Sequence, residues 1–600
     1  MFKKISVPKL LALGALFGGV FLVLAYMAQT PPSVETVDTP ADAQAPAPSQ
    51  DTAKAPPQPV RPRIVDPVGP SGNYLAGSHA ETVGETQSAL DFYRTATKDQ
   101  ALATTDLYSR MYVLGLTQGD LDQALIALDL TERKGGHAPL SKLTRAVHAI
   151  GSGDFDAVEI LLGDDRAGVS RLLGPTLIAW AHVGNGDFPG AFTALDKMKG
   201  DAKVEPMRLL HTGLIHDLSG DAQKAGAQFK ALSDLTGLSV RSVQLMGANL
   251  ERQGKNKQAL ALYQNFAMEA EGEIILAAAK RRMDAGQVPP LDVDAAKKGA
   301  ADALYGVSTV LLAQGSWETA MALANMALSL RPDFPAATLI RAAALEKNKR
   351  LKEANAIYDK VPDTNPLAWT ARLHMADNLD RMGRTEDAVA MLRDLAKAHP
   401  ARNRPLIDLG EVLRRHERFA EAIEAYDQAL ALSGTTQPEH WAIYYSRGIS
   451  FEQTKQWPKA EADFLKALTL QPDHPLVLNY LGYSWIDQGQ NLERALDMIR
   501  KAVNLRPRDG YIVDSLGWGQ YRMGDYKGAV KSLERATMLL PADPLVNDHL
   551  GDALWKVGRT REARFQWQRA LDLEPKADIA KVLHEKLQSG LPAVTPKLTQ

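Results

Sequence analysis

Hydrophobic and polar positions follow three different patterns along the chain. From Leu10 to Ala28 the sequence is apolar without a single charged side chain. A helix of that length spans roughly 28 Å, close to the thickness of a bilayer's hydrocarbon layer. From Pro31 to Pro70 there are eleven prolines among Ala, Thr, Gln and Asp, which is typical of an extended linker without regular structure. The remainder has the periodicity of packed helices.

The residues around the apolar run predict its orientation. Lys3, Lys4 and Lys9 precede the run, and a basic flank stays in the cytoplasm, so that the rest of the chain lies outside the inner membrane. The end of the run is a poor signal-peptidase site, because Tyr26 would occupy the position that requires a small side chain. We therefore expect an uncleaved anchor. Cleavage, which would give a soluble periplasmic protein, is the alternative.

The second half of the chain is an array of repeats. Gly448, Gly482, Gly517 and Gly551 are separated by 34, 35 and 34 residues. Alanines and prolines recur with nearly the same period, at Ala460, Ala495, Ala529 and Ala563 and at Pro472, Pro507, Pro541 and Pro575. A period near 34 with small residues at fixed positions indicates stacked helix-turn-helix units, in which Gly and Ala allow close approach and Pro ends the second helix.

These residues in register resemble the tetratricopeptide repeat (TPR) family. The resemblance is specific from Ala301 to Pro575. It is looser upstream, where Gly-Asp turns such as Gly119-Asp120 indicate four or five divergent repeats. It implies an all-α fold, a right-handed superhelical solenoid of TPR helix pairs that follows the anchor and linker. The predicted segments are a basic cytoplasmic stretch (1–9), a transmembrane signal anchor (10–28), a Pro/Ala-rich disordered linker (29–72), divergent TPR-like repeats (73–300), a regular TPR array (301–578), and a capping helix and tail (579–600).

The resemblance also predicts a binding surface. In TPR arrays, first-helix residues close to the repeat glycine generally line a concave groove. In this sequence those residues combine large aromatic rings with amides and carboxylates. Such a combination suits the binding of an extended peptide. Packing between adjacent first helices is the alternative for Trp518, Tyr521 and Trp555. The peptide-groove candidates are Tyr445, Asn479, Tyr483, Asp514, Trp518, Tyr521, Arg522, Asp548, Asp552 and Lys556.

The composition and the motifs of the sequence exclude several classes of function. The 69 Lys and Arg residues balance 71 Asp and Glu residues, so the chain as a whole has no general attraction for nucleic acid or for an anionic membrane surface. Cysteine is absent, which excludes disulfides, thiolate metal sites and a lipid-bearing N-terminal Cys. No phosphate-binding loop, nucleophile elbow or zinc-protease motif occurs. We therefore expect no catalytic residue, metal, cofactor or small-molecule substrate. An enzyme within the divergent half is a lesser alternative.

The anchor, linker and array together resemble membrane-anchored TPR proteins of Gram-negative envelopes. That resemblance implies a non-enzymatic scaffold or adaptor, single-pass in the inner membrane, whose TPR body binds partner proteins or peptides in the periplasm. It would support envelope assembly or proteolysis. A self-associating component, joined through Gly14 and Gly18 or by end-to-end stacking, is a further alternative.

Overall fold

The computed structural model describes residues 69–164, 168–266, 272–363, 365, 367–434 and 436–591. Within these residues all regular structure is helical and there is no β-strand, which confirms the all-α prediction. The predicted anchor lies outside the described residues, as do nearly all of the linker and the end of the tail. None of the described helices is long and apolar enough to cross a bilayer. The described residues form two compact units that divide after Met391.

The first unit contains the predicted divergent repeats and the beginning of the regular array. Its helices are α1 (Pro70–Thr82), α2 (Thr86–Ala96), α3 (Thr105–Gln118), α4 (Leu121–Arg133), α5 (Ser141–Ser152), α6 (Asp156–Leu162), α7 (Gly168–Gly184), α8 (Phe188–Asp196), α9 (Glu205–Leu218), α10 (Ala222–Thr236), α11 (Val240–Arg252), α12 (Asn256–Phe266), α13 (Gly272–Asp284), α14 (Ala296–Ala313), α15 (Trp317–Leu330), α16 (Pro335–Lys347), α17 (Leu351–Tyr358) and α18 (Ala368–Arg381).

The second unit contains the rest of the regular array and the capping helix. The unit boundary falls inside α19 (Thr385–Ala398). The following helices are α20 (Arg404–Arg415), α21 (Phe419–Leu432), α22 (Trp441–Gln453), α23 (Trp457–Leu470), α24 (Pro475–Asp487), α25 (Leu492–Leu505), α26 (Gly510–Arg522), α27 (Tyr526–Leu539), α28 (Pro544–Lys556), α29 (Thr560–Asp572) and α30 (Ala577–Ser589), with a short 3-10 helix at Pro438–His440 before α22.

Many of the helix pairs close around a contact between a glycine on the first helix and a large side chain on the second. A Cβ placed on Gly213 would lie 2.5 Å from Cε1 of Phe229, and one placed on Gly551 would lie 2.4 Å from the Trp567 ring. Only glycine permits this approach, because no Cβ fits in that space. The same sixteen-residue spacing joins Gly77 to Tyr93, Gly247 to Tyr263, Gly410 to Tyr426, Gly448 to Phe464 and Gly517 to Leu533.

The helices begin and end at residues that favour helix termini. Pro475 and Pro544 each open a first helix, where the missing amide hydrogen costs nothing. Asp543 caps α28, because its carboxylate accepts a hydrogen bond from the Val546 amide. At the Gly524-Asp525 turn, Gly524 adopts a left-handed φ of 85° and Asp525 caps α27. These caps satisfy amide groups that a helix terminus leaves open.

Helices α1 to α12 of the first unit form six successive pairs, which corrects the prediction of four or five divergent repeats.

The chain then departs from a simple array. After the single helix α13, the segment with Pro289-Pro290 leads into α14, and α14 and α15 pack against α3, α5, α7 and α9. Asn325 on α15 donates hydrogen bonds to the carbonyls of Leu116 and Thr117, each at 2.8 Å. The chain therefore covers one face of its own N-terminal repeats.

A pair of Gly→Ala substitutions in the first unit tests the importance of the close contact. Gly213→Ala places a Cβ against buried Phe229, whereas Gly306→Ala on α14 meets no atom within 4 Å. Alanine has a higher helix propensity than glycine, and this gain is the same in both helices. We therefore expect Gly306→Ala to raise the free energy of unfolding by about 0.5–1 kcal/mol. Gly213→Ala should lower it by about 1–3 kcal/mol. Urea unfolding followed by circular dichroism measures both, and equal stability of the two variants would contradict the packing argument.

Candidate functional site

All ten groove candidates lie on the first helices of four successive pairs in the second unit. The repeat period gives them equivalent positions from helix to helix, and we refer to them as the inner row. Tyr445 lies on α22, Asn479 and Tyr483 on α24, Asp514, Trp518, Tyr521 and Arg522 on α26, and Asp548, Asp552 and Lys556 on α28.

Burial divides the inner row into two groups. Asp514, Tyr521, Asp548 and Asp552 are buried, with exposed fractions of 4%, 6%, 7% and 6%. The other six side chains are half-buried. The buried members contact protein instead of solvent, so the structure brings the ten residues to one row but does not expose them equally.

The capping helix supplies a cation to the C-terminal end of the row. Lys586 on α30 places its Nζ 2.6 Å from Oδ1 of Asp548 and 2.8 Å from Oδ1 of Asp552. The Trp567 indole donates a second hydrogen bond, at 2.9 Å, to Asp552. Sequence reasoning missed Lys586, although it follows Asp552 by one 34-residue period and therefore occupies the equivalent position on the next helix. The two carboxylates are therefore internal ion-pair partners.

Burial alters the protonation of this cluster. Removal from water and the neighbouring charge of Asp548 raise the pKa of Asp552 to about 6, although Lys586 and His549 act to lower it. His549 lies 3.0 Å from a carboxylate oxygen of Asp514. Burial lowers the pKa of His549, but the charge and hydrogen bond of Asp514 and the charges of Asp548 and Asp552 together outweigh that effect, so the pKa is raised.

The aromatic residues of α26 pack between neighbouring helices. The Trp518 ring stacks on Tyr521 at a centroid distance of 5.0 Å and on His549 of α28 at 4.1 Å. Arg522 lies over the same indole and places its Nη1 3.3 Å from Oδ1 of Asp487 on α24. Trp518 is thus in contact with α28 as well as its own helix. These contacts favour the packing alternative for Trp518 and Tyr521.

A carboxylate on one first helix is repeatedly bound by donors on the next. Glu452 on α22 accepts hydrogen bonds from Tyr480 Oη at 2.6 Å and Ser484 Oγ at 2.7 Å, both on α24. In the first unit, Glu346 on α16 accepts a bond of 2.7 Å from Asn378 on α18. A buried carboxylate without such donors would be strongly destabilising. Acids at these positions therefore join successive repeats.

The inner-row residues of α22 and α24 are all half-buried. Tyr445 packs beside Trp441 and Phe464, at centroid distances of 6.2 and 6.1 Å. The Tyr445 ring meets Tyr480 edge-on at 5.8 Å and remains half-buried. Asn479 has a side-chain carbonyl that is shielded from solvent and accepts no hydrogen bond. Tyr483, one turn further along α24, is also half-buried. Together they present two phenol rings beside an amide with unused hydrogen-bonding capacity, and we call these three residues the tyrosine–asparagine site.

Catalytic and metal chemistry was not expected from the sequence. Across the described part of the chain, no group of three or more His, Asp or Glu side chains is arranged to hold a metal ion. The acids and histidines of the C-terminal cluster are instead bound to Lys586, Trp567 and one another.

The geometry described above defines an α-helical repeat protein built from glycine-centred helix pairs. A tetratricopeptide repeat family model matches residues 308–368, 373–435 and 407–475. The TPR repeat-containing protein PA4667 of Pseudomonas aeruginosa is 30% identical over 168 residues, which are 28% of this chain and 28% of that protein. Residues 308–475 thus match the tetratricopeptide repeat, a repeat type that generally mediates protein–protein interaction and is generally non-enzymatic.

Two solved structures also match much of the chain, at low TM-scores. The Cut9–Hcn1 heterotetramer of the APC/C covers 87% of this chain and 96% of its own, with a TM-score of 0.37 and 15% identity. Yeast Tom70 covers 87% and 95%, with a TM-score of 0.30 and 14% identity.

Asp552→Asn tests whether the buried charge opposes folding. The folded-state pKa lies above the ordinary value of 3.8, so the loss of stability grows as the pH rises from about 4 to about 6 and is complete above that. We expect Asp552→Asn to exceed the wild type in free energy of unfolding at pH 7.5 by on the order of 1 kcal/mol. The gain should disappear as the pH falls through 6 toward 4. Urea unfolding followed by tryptophan fluorescence at each pH measures this difference.

Asp497→Asn is the control, since its carboxylate is 73% exposed on α25. We expect that substitution to change stability by less than about 0.5 kcal/mol at every pH. A pH-independent effect of Asp552→Asn would show that the charge of Asp552 is not the cause.

Proposed function

We propose that this chain is a non-enzymatic scaffold that binds a partner protein, through an extended segment, on the inner row of its second unit. The tyrosine–asparagine site is the observation that carries the proposal. Its two half-buried phenol rings offer rigid contact area, and its amide has hydrogen-bonding capacity for a main chain. The protein-interaction role of TPR proteins in general supports the same assignment.

Internal contacts elsewhere in the protein make other surfaces less suitable for binding a partner. At the C-terminal end of the inner row the carboxylates of Asp548 and Asp552 already bind Lys586. In the first unit, helices α14 and α15 cover the face formed by α3, α5, α7 and α9. We therefore place the partner segment along α22 and α24, where Tyr445, Asn479 and Tyr483 are half-buried.

We further propose that the scaffold is held in the inner membrane by residues 10–28, with the TPR body in the periplasm. The proposal rests on the apolar run and on Lys3, Lys4 and Lys9 before it. The proline-rich linker would then hold a partner close to the membrane at raised local concentration. Such an adaptor would support envelope assembly or proteolysis.

The double variant Asn479→Ala/Tyr483→Ala tests the site. Detergent-solubilised full-length protein serves as bait for envelope extracts, and captured proteins are quantified by mass spectrometry. Loss of an aromatic anchor and its neighbouring amide at the centre of an interface costs about 2 kcal/mol or more. We therefore expect recovery of the specific partner to fall at least about tenfold.

Leu432→Ala/Leu505→Ala is the matched control, because it removes two apolar side chains that are 41% and 47% exposed on second helices. Its recovery should equal that of the wild type, and circular dichroism confirms that every bait is folded. Equal recovery by the Asn479→Ala/Tyr483→Ala bait would place the binding surface elsewhere.

A further inference from the structure

The last two second helices, α27 and α29, carry a basic stripe on their outer faces. Ala529 on α27 and Ala563 on α29 are fully buried. On each helix we consider three residues, located two positions before that alanine, two positions after it and six positions after it. Because these three residues are spaced four apart, they share one face of the helix. All of them are exposed except Arg569, which is half-buried. These six positions, the outer patch, are Lys527, Lys531 and Arg535 on α27 and Arg561, Phe565 and Arg569 on α29.

Packing of the repeat does not require basic residues at these positions. On α25 the equivalent residues are Glu493, Asp497 and Lys501, placed around the buried Ala495. On α21 they are Ala420, Glu424 and Gln428, around the buried Ala422. The same fold thus accepts acidic and neutral side chains there, so the five cations of the outer patch are a property of the last two repeats alone.

The cations of the outer patch are not neutralised within the described part of the chain. The neighbouring acids Glu534 and Glu562 are both bound by Arg559, which lies 2.8 Å from Glu534. Lys527, Lys531 and Arg561 take part in no ion pair among the described residues. Arg535 and Arg569 donate to the carbonyls of Pro507 and Pro541, and a carbonyl leaves their positive charge uncompensated.

Large apolar side chains accompany these cations. Phe565 is 64% exposed and lies in the equivalent position to Lys531 of the preceding repeat, while Met538 is 75% exposed at the end of α27. Charge alone would match any polyanion. Exposed Phe and Met beside cations instead match the surface of an anionic lipid bilayer, which is charged at the headgroups and apolar just beneath them. At such a surface aromatic and thioether side chains insert below the headgroups, while Lys and Arg remain at headgroup level.

We propose that the outer patch binds the surface of an anionic lipid bilayer. The second unit would lie against phospholipid headgroups through α27 and α29, with Phe565 and Met538 inserted between them. The tyrosine–asparagine site is on first helices, so this contact does not depend on the proposed partner site. It also does not depend on the apolar run at residues 10–28.

The absence of cysteine allows a local test with the full-length protein. Met538→Cys, labelled with the polarity-sensitive fluorophore NBD, keeps all five cations and Phe565. We expect a blue shift and a several-fold rise in emission with phosphatidylcholine vesicles that contain phosphatidylglycerol, and no change with phosphatidylcholine alone. Added salt should weaken the response, because it screens the headgroup charge. Ile160→Cys, a label site that is 85% exposed on α6, should respond to neither vesicle.

Charge reversal in the labelled protein identifies the residues responsible. Lys527→Glu/Lys531→Glu should raise the lipid concentration needed for half the response by at least about tenfold. Lys142→Glu/Lys257→Glu changes the net charge equally at exposed lysines of α5 and α12 and should stay within about twofold of the wild type. Circular dichroism confirms the fold of each variant.

Three results would overturn the proposal. The first is unchanged emission from the Met538→Cys label on anionic vesicles. The second is an equal loss caused by both charge-reversal pairs, which would reduce the effect to net charge. The third is an equal response to soluble polyglutamate, which would assign the outer patch to acidic polymers instead of a bilayer.

Discussion

The close approach of first and second helices at a glycine is the constraint on which the rest of the structure depends. At Gly410, Gly448 and Gly551 the missing Cβ leaves room for a buried aromatic ring sixteen residues later. A larger residue would separate the helices and displace that ring, and close-packed interiors tolerate such displacement poorly. In the pair that contains Gly448, this close packing accompanies a contact between successive first helices, in which Glu452 reaches donors on the next first helix.

Periodicity predicted the helix pairs, their glycines and their caps because each is a contact within one repeat or between neighbouring repeats. It could not predict the packing of α14 and α15 against the N-terminal helices. The hydrogen bond from Asn325 to Leu116 joins residues 209 apart, and nothing in a 34-residue period encodes a contact at that separation. The Pro289-Pro290 pair in the sequence is typical of a break between helices. It did not indicate that the chain turns back upon its own earlier repeats.

The candidate site was predictable in position but not in environment. Asn479, Asp514 and Asp548 occupy equivalent places on their helices, yet the first has a carbonyl without a partner while the other two bind His549 and Lys586. The difference comes from the next helix in each case, since a side chain at this position faces whichever residue the following repeat supplies. A site prediction for a repeat protein therefore has to compare two successive repeats. For Asp552, the residue 34 positions later was the available signal.

The two faces of the second unit differ in how strongly packing constrains them. Inner-row acids join one first helix to the next, so replacing them affects both stability and any bound partner. The outer positions of the second helices contact little, and the same fold holds Asp497 on α25 and Lys531 on α27 at equivalent points. Selection for stability has little influence at such positions. The cations and the exposed phenylalanine at these positions are therefore better evidence for what the protein contacts than the buried charges, which are needed for packing.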